Sequence, residues 1–365
     1  VQADEVAAAD EGADELFERL LGRPAAPDAA TRPAEDHLDS FIRRLVAPDI
    51  VHEPDPRVDT AVDSTDRVAA ELMRRVLHDP GFQALESRWL GLFQLISELE
   101  LDENLSLHVC NLSRENLLMT LPDPGQSLQE SSLFDFLVRR NQQAVDDDPW
   151  TVIAGDYYFA AEGEDIALLM SLGAAAAVNG GIFLGAAKPQ LLGCSTTAEL
   201  SDARYWSDSG AAASLWQQLR NSPVAPHIGL ALPRILGRLP YGASAEEIDS
   251  FEFEELPERS HEHFLWTNPA ISCARLLAEQ FSREGWGMSP GDHVDLGPLP
   301  AYHYQHEGEP RLQPCAELLL PESTMVMMFE RGLMPVVSYR NQNVAVLGRF
   351  QSIAHPVSVL AGPWQ

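Results

Sequence analysis

Lysine is almost missing from this chain. Of 25 basic residues only Lys188 is a lysine, and 55 acidic residues stand against them, for a formal charge of −30. Duplex nucleic acid and anionic membrane surfaces repel such a chain, because phosphate binding draws its free energy from cations that displace counterions. Cysteine is scarce as well. Cys110, Cys194, Cys273 and Cys315 lie far apart with no CxxC pair, which argues against a zinc ribbon or a disulfide framework and leaves reduced, mostly buried thiols as the expectation. No run approaches the ~20 apolar residues that cross a bilayer, and the N-terminus lacks a basic-then-apolar secretory pattern. No membrane insertion and a cytoplasmic setting are therefore expected. The rest is ordinary: 45% hydrophobic and 22% charged residues in a chain of 365 suffice for a sizeable core.

Residues 1–65 read as an acidic N-terminal arm. The first 66 residues hold 17 acidic and 6 basic side chains, with Ala and Pro clustered at Arg23–Pro27 and Arg32–Pro33. Two apolar pieces have helical spacing: Leu16, Phe17, Leu20 and Leu21, then Leu38, Phe41, Ile42 and Leu45. Neither can bury its face alone. They read either as partner-binding segments or as parts of a disordered acidic leader.

The body is expected over 66–352, with 353–365 as a short tail. Asp66 can cap a helix with the stripe Val68, Leu72, Met73, Val76 and Leu77, stopped by Pro80. Phe82, Leu85, Trp89, Leu92, Phe93, Ile96 and Leu99 then recur at three and four, a wide aromatic stripe that predicts packing against a sheet. Leu105, Leu107 and Val109 alternate as in a half-buried strand. Thr151–Ala154 reads as a strand leaving at Gly155-Asp156, and Ile166–Val178 as a small-residue helix closed by Asn179-Gly180-Gly181. Ile182–Ala187 is apolar on both faces, as a central parallel strand should be. A second unit follows: a strand at His227–Leu232, a helix opened by Asn268-Pro269 and ended by Gly285, strands at Ala316–Leu320 and Leu333–Tyr339, and a Met-rich helix between them. The fold class is mixed α/β: a central, mostly parallel sheet flanked by helices, with an extended N-terminal arm.

No constellation points strongly to catalysis, and no catalytic, cofactor-binding or metal-binding residue is assigned. Gly180–Lys188 has the look of a phosphate loop, but it lies across a strand whose N–H groups the ladder consumes, and no Ser or Thr follows the lysine. Gly193-Cys194-Ser195 lacks the final glycine of a nucleophile elbow. His261, His263, His303 and His306, with Glu262 and Glu307, offer metal ligands only if two loops meet; solvated loop histidines are the simpler reading. Asp156 sits where an α/β enzyme often places a carboxylate, yet a turn-capping aspartate accounts for it equally. Phe251–Glu255 alternates as a charged edge strand would. Met325, Met327, Met328 and Met334 read as core filler.

Several blocks in one order resemble a known family. His78-Asp79-Pro80-Gly81-Phe82-Gln83-Ala84-Leu85-Glu86-Ser87-Arg88-Trp89-Leu90-Gly91-Leu92, Ile153–Phe159, Asp165–Leu169, Ala186–Gly193, Ile228–Gly242, Phe251–Glu255, Phe264–Trp266 with Asn268, and Gly332–Val337 are similar to the large subunit of the type VI secretion contractile sheath (TssC or VipB family). The resemblance covers about residues 64–352. It implies a bacterial, cytoplasmic structural protein that forms a heterodimer with a small sheath subunit and assembles into a helical tubule around an inner tube. Other sheath protomers and baseplate proteins are further partners it allows, and the N-terminal arm would cross to neighbours, where strand or helix addition supplies main-chain bonds and specificity. Leu16, Phe17, Leu20, Leu38, Phe41, Ile42 and Leu45 are then the candidate partner-binding residues. The family continues well past the position of Ser352, whereas thirteen residues follow it here. A trimmed chain, or a short paralogue acting as an accessory or adaptor of the secretion machine, is the corresponding alternative, and an α/β enzyme or metal-binding protein is a remote one.

Overall fold

The computed structural model describes residues 56–122, 126–139, 149–207, 211–243, 245–306 and 308–364. The chain divides into two compact units, Val1–Val62 and Asp63–Gln365. The helices are α1 (Pro56–Leu77), α2 (Pro80–Glu98), α3 (Arg114–Met119), α4 (Gly163–Val178), α5 (Ala211–Arg220), α6 (Pro269–Glu284) and α7 (Glu322–Glu330), with short helical turns between them. The strands are β1 (Val152–Phe159), β2 (Ile182–Ala187), β3 (Ile228–Leu232), β4 (Ile235–Leu236), β5 (Trp266–Thr267), β6 (Asp295–Pro298), β7 (His303–His306), β8 (Glu309–Leu312), β9 (Met334–Ser338) and β10 (Val344–Leu347).

The second unit is organised by a six-stranded sheet in the order β1-β2-β3-β9-β10-β6. The first four strands run parallel and the last two pairings are antiparallel. The expected mixed α/β class, with a mostly parallel sheet between helices, is what the chain adopts. β2 is buried along its whole length, and its side chains alternate between two apolar layers. Phe183 enters the layer formed with Leu168, Leu169 and Leu172 of α4, while Ile182 and Leu184 enter the layer formed with Cys273, Leu276 and Leu277 of α6. A strand covered on both faces needs apolar residues at every position, and Ile182–Ala187 supplies them.

α4 lies close on its face because its residues there are small. A β-carbon on Gly173 would come within 2.6 Å of Ile228 Cδ1, so the helix–sheet distance depends on that glycine. The helix closes with the N–H of Gly181 donating to Ala176 O and that of Gly180 to Ala177 O, with Gly180 at φ +70°. This is the Schellman arrangement, and the left-handed residue favours glycine. On the opposite face Asn268 caps α6 by accepting the Ala270 N–H, Pro269 occupies its first position, and Gly285 ends it at φ +61°.

Several local expectations are corrected. α1 begins at Pro56, so Asp66 is interior to it. Gly155-Asp156 is no exit: β1 continues to Phe159 across an irregularity between Ala154 and Tyr158. Among the described residues Leu105–Val109 pairs with nothing in a ladder, and neither does Phe251–Glu255, where Phe253 and Glu255 are instead buried in a loop. Ala316–Leu320 makes one isolated bridge, Ala316 to Ile235. At Phe251–Glu255 alternation reported burial rather than pairing, because a loop that crosses a core also alternates, whereas Val109 is 63% exposed. His303 and His306 sit on the β7–β8 hairpin rather than in a loop.

Candidate partner interface

α2 is the element whose placement departs most from its pattern. Asp79 caps it by accepting the Phe82 N–H at 2.9 Å, and Pro80 takes the first helical position. The helix packs on α6 and β5, not on a sheet face through its aromatic stripe. The face turned inward is the small and polar one. Ser87 Oγ donates to Trp266 O at 3.1 Å, Gly91 faces Ile271, and Leu95 is buried. Phe82, Leu85, Trp89, Phe93 and Ile96 turn outward, and Trp89 and Phe93 are 65% and 67% exposed. The body section of α1 behaves alike: Ala70 is buried, whereas Val68 and Leu72 are 68% and 62% exposed. Solvent-facing apolar residues in such density on soluble proteins mark surfaces that meet another molecule.

Charged clamps fix α2 from behind. Arg238 bridges Glu86 of α2 and Glu255, donating to Glu255 at 2.7 Å and to both Glu86 oxygens. Glu255 also accepts the Tyr241 N–H at 2.8 Å. Burial pulls the Arg238 pKa down, but the hydrogen bonds it donates to Glu255 and Glu86 outweigh it, so the net shift is upward and the guanidinium stays charged. Arg88 donates to Asp156 at 2.8 Å, which places that aspartate in a surface ion pair rather than alone at a strand end. At the α1–α2 junction the His78 ring stacks on His263 with centroids 3.9 Å apart, and burial, then the neighbouring His263, lower its pKa.

The histidines considered as metal ligands are used separately. His261 pairs with Glu317 at 2.9 Å, and Glu317 also accepts from Arg234. His263 stacks on His78, while His303 lies on β7. Glu307 lies outside the described residues. Among the described residues no group of three or more His, Cys, Asp or Glu side chains converges as metal ligands would. The N–H groups of β2 are engaged in ladders with β1 and β3, so Gly180–Lys188 forms no phosphate cradle. Cys194, Cys273 and Cys315 are buried and Cys110 is exposed, all as free thiols. No helix among the described residues is long and apolar enough to cross a membrane.

Leu16, Phe17, Leu20, Leu38, Phe41, Ile42 and Leu45 all lie outside the described residues. The outward direction of the α2 apolar stripe was missed, and a signal for it exists in the sequence. Ser87, Gly91 and Leu95 recur at four, the spacing of a close-packed helical seam, on the side away from the aromatics.

The VipB family, described as EvpB/VC_A0108, tail sheath N-terminal domain, matches residues 59–354. The chain is also 28% identical over 309 residues to the type VI secretion system sheath protein TssC1 of Pseudomonas aeruginosa, a span of 82% of this chain and 62% of that relative. With a match that takes in the sheet, both helical layers and α2, the chain belongs to the VipB tail sheath family.

Proposed function

We propose that the chain is a structural subunit of a type VI secretion contractile sheath, acting in the bacterial cytoplasm and assembling with a small sheath subunit around an inner tube. The observation that carries this reading is the outward apolar face of α2 in a member of the tail sheath family. The body buries this helix through Ser87, Gly91 and Leu95 and leaves five large apolar residues for another chain. Fully covering one such side chain stabilises an interface by ~1.5–3 kcal/mol, and aromatic anchors dominate interface energetics. Arm residues Leu16, Phe17, Leu20, Leu38, Phe41, Ile42 and Leu45 provide a second grip on neighbouring protomers, and the bonded charge pairs of the body suit a load-bearing part.

Co-expression with a small sheath subunit tests the reading. The expected result is a stable heterodimer that Trp89→Asp/Phe93→Asp abolishes while the thermal unfolding of the isolated chain stays within a few degrees. An undiminished complex with the doubly substituted chain removes α2 from the interface. The absence of any complex with the unaltered chain removes the sheath reading.

A further inference from the structure

The corner where α1 turns into α2 is held on the loop 251–263, and a pair of imidazoles lies at that contact. His78, between the two helices, stacks its ring on His263 with centroids 3.9 Å apart and 3° between the planes. Beside the stack, Arg74 of α1 donates to Glu254 O at 3.0 Å and Gln83 of α2 donates to Glu262 O at 3.3 Å. Arg238 joins Glu86 of α2 to Glu255 of the loop. A few polar contacts thus fix the corner, whereas the sheet is fixed by two apolar layers. Regions held by few contacts open at lower cost than a packed core.

A proton on His78 is poorly accommodated in this setting. The side chain is 13% exposed, and Nε2 is buried without a hydrogen-bond partner. Glu255 faces it with an oxygen 3.9 Å from Nε2, but that carboxylate already accepts two hydrogen bonds from Arg238 and one from the Tyr241 N–H. His263 and the guanidinium groups of Arg238 and Arg74 also act on the ring, and each disfavours a charge there. Glu254 is turned to the Ala243 N–H and Asp79 to the Phe82 N–H. Burial first, and then His263, hold the His78 pKa below 6.5 against the pull of Glu255. Neutral, the ring completes the stack; protonated, it is a buried cation beside two arginines.

We propose that His78 is an acid-sensitive latch: stacked and neutral it holds the α1–α2 corner on the loop 251–263, and on taking up a proton it releases the corner while the sheet and its helical layers stay folded. The latch is independent of the sheath assignment and is tested without any partner. Its direction follows from linkage. Above pH 6.5 the ring is neutral whether the corner is closed or open, so pH has no effect through it. Below 6.5 the open corner binds a proton that the closed corner excludes, and opening grows by up to about ten-fold at pH 5.5. Glu317 titrates below 4.5 and leaves this window untouched.

The test is hydrogen–deuterium exchange of the full chain at about pH 7.5 and about pH 5.5, with each rate divided by the intrinsic rate at that pH so that it reads opening alone. Protection of residues 74–86 and 253–263 should fall about five- to ten-fold at the lower pH, while that of β2 and α4 stays within about two-fold. His78→Phe keeps an uncharged ring for the stack, and Nε2 has no hydrogen bond to lose. That variant should match the unaltered chain at the higher pH and lose less than about two-fold at the lower one. His78→Gln is a second side chain that takes up no proton, for use if the phenylalanine variant misfolds; its corner should be less protected at both pH values and by the same factor. The proposal is overturned if the unaltered chain keeps its corner protection at the lower pH, if either variant loses as much as the unaltered chain, or if β2 and α4 open together with the corner.

Discussion

Arg238→Met isolates what the charge clamp behind α2 contributes. The Arg238 side chain is 11% exposed and Glu255 only 2%, so removing the guanidinium strands a carboxylate that water cannot reach. Glu86 is 20% exposed and can rehydrate. Glu255 keeps the Tyr241 N–H, and His78 stands 3.9 Å away. Breaking a buried pair typically costs about 3–5 kcal/mol, and these remaining partners place this one at the lower end, near 3 kcal/mol. Arg88→Met is the matched control: that arginine is 60% exposed against Asp156, and exposed pairs contribute about 0–1 kcal/mol. Replacing all three members with Arg238→Met, Glu86→Leu and Glu255→Leu should recover only part of the loss, since an apolar cluster strands no charge but takes the acceptor from the Tyr241 N–H. Urea unfolding followed by tryptophan fluorescence and circular dichroism measures each variant. If Arg238→Met costs no more than Arg88→Met, the clamp is hydrated and the account of α2's anchoring is wrong.

Two further outcomes follow from the same body. Burial raises the Glu317 carboxyl, but hydrogen bonds from Arg234 and His261 overcome that and lower its pKa from 4.5 to about 2. A depressed pKa gives stability that is present above 4.5 and lost as pH falls toward 2, so between pH 4.5 and 3 unfolding free energy should fall about 1 kcal/mol per pH unit faster than in Glu317→Gln; equal slopes contradict it. Gly173→Val should cost about 2–3 kcal/mol through the contact with Ile228, whereas Gly163→Ala, with nothing within 4 Å of its β-carbon, should be neutral or slightly stabilising in the same denaturation series.

The layers of the fold were legible because their signals are local. Six consecutive apolar residues mark β2, and Asn179-Gly180-Gly181 and Asn268-Pro269 mark helix ends whose caps need only neighbouring residues. Strand pairing was not legible at Leu105–Val109, Phe251–Glu255 or Ala316–Leu320, because pairing requires a partner edge that alternation cannot supply. The direction of α2 failed for a related reason. Periodicity shows that a helix has an apolar face but not what covers it, and here the core takes the side with Ser87 and Gly91.

The two-sided character of α2 has an evolutionary corollary. Ser87, Gly91 and Leu95 answer to the fold, while Trp89 and Phe93 answer only to whatever meets them. Substitutions on the outer side can therefore drift toward new recognition without eroding the stability margin that substitutions in a core consume. A lineage built this way can diversify its associations rapidly on an unchanged scaffold.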